Sequence, residues 1–289
     1  VGAEGFIGTA LSVACENRGF DVRKITRRNP VFDLHGNLNP GLLDCDSVIW
    51  LASQTTPAVA AANPATAAAE LAEIEKAVTA ISSSSEAQSM IFASSGGTVY
   101  KSSCAPPFSE SSPTEGATPY SRMKLSAERS IGEFRGASVV VRLANPYGPG
   151  QKPRQGQGVV AHWAQSIALG RSPVVIGDAR TARDYVYISD VIDFFVLLLE
   201  RVVSHGLAVP PVLNIGSGSP VSLASLIAIF QELVDVQFEF QPSRGFDNPS
   251  TWLSNELALT HLNWRPLIGM REGIARTLDW WGVRTGPSL

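Results

Sequence analysis

Apolar and polar positions alternate in a way that predicts helices and strands in turn through the first half of the chain. Phe6, Ile7, Ala10, Leu11 and Ala14 share one face of a helix expected over Phe6–Arg18, which Gly19 ends. Asp21–Thr26 reads as a short strand, and a second one near Val31–Phe32 ends at Asp33. Ser47–Ala52 is mostly apolar, the pattern of a strand buried on both faces of a parallel sheet. Pro57–Ile81 is alanine-rich and helical, interrupted at Asn63-Pro64, and the serines at 82 to 85 mark a loop. Ser89–Ala93 is the next strand; a Ser/Gly/Pro-rich loop then leads to Pro119. A helix follows from Tyr120 to about Phe134, then a strand over Ala137–Leu143.

Such alternation argues a doubly wound α/β architecture with a parallel sheet. Beyond Asn145 the pattern loosens. Proline and glycine cluster at 146–156, a helix is expected over Val159–Leu169, and short strands and helices continue to Trp281. Residues 1–145, joined by some later segments, are therefore expected to form the sheet domain. Residues 146–289 are expected to form mainly a smaller α/β domain over the carboxyl ends of the strands, where such sheets bind ligands.

The 289 residues, 44% of them hydrophobic, suffice for a substantial core. A net charge of −3, with both signs mixed along the chain, suggests neither a nucleic-acid nor an acidic-membrane surface. Cys15, Cys45 and Cys104 lack metal-like spacing, and His35, His162, His205 and His261 lie far apart. That usage argues against a disulfide framework or a metal site and fits a reducing compartment. The longest apolar run, Val191–Val203, contains Asp193 and Glu200 and is too short to span a bilayer. With no signal-peptide pattern visible, a soluble cytoplasmic protein is expected.

Two motifs carry chemistry. Gly2, Gly5 and Gly8 have the spacing of a dinucleotide-binding turn, where glycine lets backbone approach a pyrophosphate and a helix N-terminus supplies donors. That turn normally follows a strand, and only Val1 precedes it, so several further apolar residues are expected ahead of Val1 as a central strand. In Thr118-Pro119-Tyr120-Ser121-Arg122-Met123-Lys124, helical spacing puts Tyr120 and Lys124 on one face, one turn apart. A cation there is expected to favour the phenolate and draw its acidity toward neutral pH.

Together, the glycine turn and the Tyr120 segment resemble the extended short-chain dehydrogenase/reductase family, in particular its NAD-dependent nucleotide-sugar epimerases and dehydratases. The resemblance implies a Rossmann-like fold, with Gly2, Gly5, Phe6, Ile7 and Gly8 around the cofactor pyrophosphate. After the next strand the chain carries Thr26-Arg27-Arg28 in place of an acidic residue. Arg27 and Arg28 suit a 2′-phosphate, which favours NADP over NAD. Asp33 and Leu34 would lie beside the adenine, with Leu51, Ala52, Ser53 and Ser94 along the cofactor.

The same resemblance makes Tyr120 the acid/base and Lys124 its electrostatic and ribose-binding partner. The usual serine position holds Gly96, so Ser95 or Thr98 would supply the third hydroxyl. No Asp-Glu pair stands in this loop, which disfavours a dehydratase. On the substrate side, the resemblance implies Asn145 on a diphosphate, Arg183 and Arg244 on phosphate, and Asp247 near a ribose, with a nucleotide diphosphate sugar as ligand. It also implies a homodimer through a four-helix bundle, although an alanine-rich helix that simply caps the sheet is the alternative. Three functions remain open. The chain is a C4 epimerase working through a 4-keto sugar, an NADPH-dependent reductase of such a sugar, or a non-catalytic nucleotide-binding protein.

Overall fold

The computed structural model describes residues 1–84, 86–205, 209–242 and 250–286. Helix α1 (Phe6–Asn17) starts directly from the glycine turn. Strand β1 (Ser47–Trp50) is followed by α2 (Pro57–Ala62) and α3 (Pro64–Ser84), and then by β2 (Ser89–Ser95). Helix α4 (Pro119–Gly132) leads to β3 (Ala137–Leu143), and a short β4 (Asn145–Tyr147) follows. The later half contributes α5 (Val159–Ala168), β5 (Val174–Ile176), β6 (Ala182–Tyr187), α6 (Ile188–His205), β7 (Val212–Ile215), β8 (Pro220–Ser222), α7 (Leu223–Leu233), β9 (Glu239–Gln241), α8 (Glu256–Leu262) and α9 (Met270–Trp280).

The main sheet has the order β1-β2-β3-β7, and every pairing in it is parallel. Both its faces are covered, because each strand projects apolar side chains to either side. On one face Ile74, Ala77 and Ile81 of α3 and Ala127 and Ile131 of α4 pack on Met90, Phe92 and Val140. On the other, Leu11 and Cys15 of α1 and Phe195 and Leu199 of α6 pack around Ile91, Val139 and Val141. This is the Rossmann-like α/β arrangement. Two smaller sheets, β4-β6-β8 and β5-β9, are built from later segments.

Two expected strands do not form. Residues 21–26 pair with no strand, and near Val31–Phe32 only an isolated bridge, Phe32 to Leu38, is made. The first three residues bridge 21–26 to β1: Gly2 and Ala3 donate N–H to the Ile25 carbonyl (2.9 and 3.3 Å), and Leu51 N–H donates to the Val1 carbonyl (3.0 Å). Residues 21–26 are thus held to the sheet through the glycine turn, without a ladder of their own. The expected serine loop is also corrected: α3 continues to Ser84. Ser83 Oγ bonds back to the Thr79 carbonyl (2.8 Å), and Ile81 is fully buried, so the apolar face carries the helix through the serines.

Candidate active site

The glycine turn fits a dinucleotide on its own geometry. Gly2 has φ +86°, and a Cβ there would lie 2.7 Å from the Ala52 nitrogen. A Cβ at Gly8 would collide with the Gly2 carbonyl oxygen. The turn therefore closes tightly on the end of β1 only because these positions lack side chains. Gly5 is the N-cap of α1 and no side chain caps it, so the first-turn N–H groups are left for an external acceptor. Phe6 and Ile7 are half-buried beside that end.

Arg27 and Arg28 are exposed on the loop after residues 21–26, where the Thr26 hydroxyl accepts the Arg28 and Asn29 N–H groups (both 3.2 Å). Asp33 uses its carboxylate locally, accepting from His35 and Asn37 N–H (both 2.8 Å) and the Asn37 amide (2.9 Å), and these bonds hold its carboxyl below the usual range. Leu34 beside it is fully exposed. Leu51 and Ala52 pack under the turn, and Ser53 opens the loop that follows.

Tyr120 and Lys124 owe their placement to a well-made helix start. Thr118 accepts Ser121 N–H at 3.1 Å, Ser121 Oγ accepts Thr118 N–H at 2.9 Å, and Pro119 occupies the first turn. This capping box orients α4 against the carboxyl end of β2. Tyr120 and Lys124 are both buried there (7% and 3% exposed), and the Lys124 Nζ reaches the Ala93 carbonyl at 3.5 Å. The expectation that Lys124 draws the phenol's pKa down toward neutral is corrected. Burial, reinforced by the Glu70 carboxylate, pushes the Tyr120 phenol up, while the Ser95 side chain and Arg154 act the other way. The Lys124 nitrogen is 5.8 Å from the Tyr120 ring centre, and burial pushes its own pKa down. Desolvation is the largest effect on both groups.

The structure links both hydroxyl candidates to Tyr120. Thr98 Oγ1 donates to Ser95 Oγ at 2.9 Å, and the Ser95 side chain is near enough to Tyr120 to favour its phenolate. Gly96 is fully packed: a Cβ there would run into Leu253 Cδ1 and lie 3.2 Å from the Arg142 carbonyl. Leu253, from the segment that pairs with Phe108, fills the space a serine side chain would need. Ser94 points elsewhere, donating to Glu128 Oε1 at 2.5 Å. Glu128 in turn grips Arg142 through a buried, two-pronged ion pair of 2.7 Å, and Arg142 also donates to the Tyr100 hydroxyl (3.2 Å). This network braces the loop after β2 from behind.

Of the expected substrate ligands, Asn145 donates its amide to the Asp184 carbonyl (2.8 Å), and half-buried Arg183 donates to the Ala182 carbonyl (2.9 Å). Arg244 and Asp247 lie outside the described residues. Among the described residues, no cluster of His, Cys, Asp and Glu side chains could hold a metal ion, and no helix is long and apolar enough to cross a membrane.

Sequence reasoning missed two groups. Glu70, on α3, accepts Ser53 Oγ at 2.7 Å and the N–H groups of Gln54 and Thr55 at 2.9 and 2.8 Å. Arg154 donates to the Ser53 and Gln54 carbonyls (3.4 and 3.0 Å). The available signal for Glu70 was its helical spacing from Ala67, Ile74 and Ala77, which puts this one of the helix's three glutamates on the apolar stripe.

Residues 1–216 match the NAD dependent epimerase/dehydratase family. The chain belongs to that family. It is 33% identical over 196 residues to the UDP-glucose 4-epimerase of Mycolicibacterium smegmatis, covering 66% of this chain and 61% of that protein. It is 32% identical over 201 residues to the dTDP-4-dehydro-6-deoxyglucose reductase of Escherichia coli, covering 66% and 60%. In both cases the chain spans less than two thirds of the relative's length. Among solved structures, MoeE5 in complex with UDP-glucose and NAD superposes with a TM-score of 0.82 at 26% identity, over 96% of each chain. Membership makes this an extended short-chain dehydrogenase/reductase, and the family comprises nucleotide-sugar epimerases, reductases and dehydratases.

Proposed function

We propose that the protein is an NAD(P)-dependent nucleotide-sugar epimerase acting at C4 through a transient 4-keto sugar. The observation that carries this reading is the hydrogen-bonded Thr98–Ser95 hydroxyl pair next to buried Tyr120 and Lys124, together with an uncapped glycine turn. Bound NAD(P) supplies a hydride acceptor and donor. The chain's own residues do the rest. Tyr120 Oη takes the C4 hydroxyl proton and returns it, Ser95 holds the reacting oxygen and the phenol in one line, and Thr98 fixes the Ser95 rotamer. Lys124 keeps a positive charge beside the phenol and would hold the cofactor ribose. Asn145 and Arg183, with Arg244 and Asp247, are proposed to engage the nucleotide diphosphate. The similarity to UDP-glucose 4-epimerase and to MoeE5, solved with UDP-glucose, supports a UDP-sugar.

A second reading, an NADPH-dependent reductase of a 4-keto sugar, is favoured by Arg27 and Arg28 and by the similarity to the Escherichia coli reductase. Exchangeable NADPH suits net reduction, whereas a retained dinucleotide suits epimerisation. The cytoplasm and a homodimer formed through α3 and α4 are part of the same proposal, as is a division into a cofactor domain (1–145 with later segments) and a substrate domain (146–289). Incubating the protein with UDP-glucose or UDP-galactose, and separately with NADPH and a 4-keto nucleotide sugar, distinguishes the two readings. Sugar interconversion without loss of NADPH supports the first; NADPH oxidation only with the keto sugar supports the second. Tyr120→Phe is expected to lower either rate by about 10²–10⁴, and full activity in that variant refutes both.

A further inference from the structure

The loop between β1 and α2 is held from two sides by opposite charges. Below it, Glu70 is 9% exposed and takes three donors from Ser53, Gln54 and Thr55. Above it, exposed Arg154 takes the carbonyls of Ser53 and Gln54. Gln54 thus donates its N–H to the anion and offers its carbonyl to the cation. Among the described residues Glu70 forms no ion pair, so its charge acts outward. The groups it acts on are Tyr120 and Lys124.

We propose that Glu70 is a positioning residue of the reaction: it anchors the Ser53–Thr55 loop and, opposed by Arg154, directs a buried negative charge toward the Tyr120–Lys124 pair. The inference rests on the reading of Tyr120 as the acid/base. Tyr120 is faced by Glu70 from α3, Arg154 from the 151–158 loop, the Ser95 hydroxyl from the end of β2 and Lys124 from its own helix. Lys124 is faced by Glu70, by Glu128 on its own helix, and by the Ala93 carbonyl and Phe92 ring of β2. Glu70 pushes the pKa of both groups up, and Arg154 pulls only that of Tyr120 down. Both remote charges therefore bear on the phenol with opposite sign.

The two roles of Glu70 separate in two variants. In Glu70→Gln the remaining amide oxygen still accepts the Gln54 and Thr55 N–H groups. Ser53 Oγ, which also reaches the Thr55 carbonyl (3.1 Å), turns to accept from the new amide. The loop stays and the charge goes. Glu70→Ala removes both.

The experiment is the kcat–pH profile of wild type, Glu70→Gln and Arg154→Met, with amide hydrogen exchange at Gln54 and Thr55 in cofactor-free protein. Glu70→Gln is expected to move both limbs to lower pH by about one unit and leave the exchange rates unchanged. Arg154→Met is expected to move the limb that reports Tyr120 to higher pH and leave the limb that reports Lys124 in place. Glu70→Ala is expected to speed exchange at both amides at least tenfold. If no sugar turns over, the pH midpoint of NAD affinity, measured by calorimetry, reads the same displacement. Superimposable profiles or midpoints for Glu70→Gln and wild type overturn the electrostatic half, and unchanged exchange in Glu70→Ala overturns the anchoring half. Full activity in Tyr120→Phe overturns the acid/base reading itself, an outcome separate from both.

Discussion

Gly96 and Leu253 form a testable lock at the loop after β2. Gly96 is absent from the glycines with positive φ, so alanine is allowed there by backbone conformation and its cost is steric. The new methyl group would meet Leu253 Cδ1 well inside contact distance, with Leu253 Cδ2 and the Arg142 carbonyl both at 3.2 Å. Leu253 is 1% exposed and cannot swing into water. Gly96→Ala is therefore expected to destabilise by about 1–3 kcal/mol, the usual cost of overpacking. Leu253→Ala alone opens a cavity and should cost about 2–5 kcal/mol. With both changes the methyl group enters the space vacated by leucine. The alanine at 96 then contributes about 0.4–1 kcal/mol of stabilisation by restricting the unfolded chain. The coupling in the double-mutant cycle is thus about 1.5–4 kcal/mol, well above the roughly 0.3–0.5 kcal/mol scatter of additive pairs. Equilibrium urea unfolding of the four proteins measures it. Additive effects within that scatter would show that Leu253 does not occupy the side-chain place of residue 96.

The buried Arg142–Glu128 pair yields a second expectation: Glu128→Ala should cost about 3–5 kcal/mol by stranding a buried guanidinium, and Glu128→Ala with Arg142→Met should recover most of it in thermal unfolding. Arg27→Ser with Arg28→Ser should raise the KM for NADPH at least about tenfold and leave that for NADH nearly unchanged, as steady-state assays with each cofactor will read. Asp184 accepts from Ser217 N–H and Oγ, Gly218 N–H and Leu253 N–H, so Asp184→Ala should lose about 3 kcal/mol or more in urea unfolding. Burial nevertheless pushes the Asp184 carboxyl above its ordinary value of 3.8, so folding favours its protonated form. That increment is full below the unfolded pKa and lost as pH rises through the folded one. The stability advantage of wild type over Asp184→Asn should accordingly shrink between about pH 3.5 and pH 7, measured by thermal unfolding at both.

Local patterns explain why so much of the arrangement was readable from the chain. The Thr118–Ser121 box, Pro119 and the Tyr120/Lys124 spacing are all contained within one helix start. The glycine turn is likewise local, because what it needs is the absence of Cβ atoms at Gly2 and Gly8. The expectations that failed depended on distant partners. Residues 21–26 have strand-like composition, but a ladder needs a neighbour that the pattern cannot supply. The serines after Ile81 looked like a loop because their hydroxyl back-bonding to a preceding turn is invisible without the packed helix. Gly96 read as a missing hydroxyl; the reason for glycine there lies in Leu253, a residue far along the chain. Glu70 and Arg154 escaped notice for the same reason, since each works on the 53–55 loop from a different element.

The position of β7 carries a consequence for any attempt to divide this protein. The strand comes from Val212–Ile215, yet it is hydrogen-bonded along β3 from Val140 to Leu143. A polypeptide cut between α5 and β7 would keep the glycine turn, Ser95, Tyr120 and Lys124, and would still leave the β3 backbone with a bare edge. Such an edge is a template for pairing between molecules. Proteolytic nicking in that interval should therefore produce aggregates instead of a liberated nucleotide-binding half, and the shortest monodisperse fragment should extend to Gly216, just past the last residue of β7.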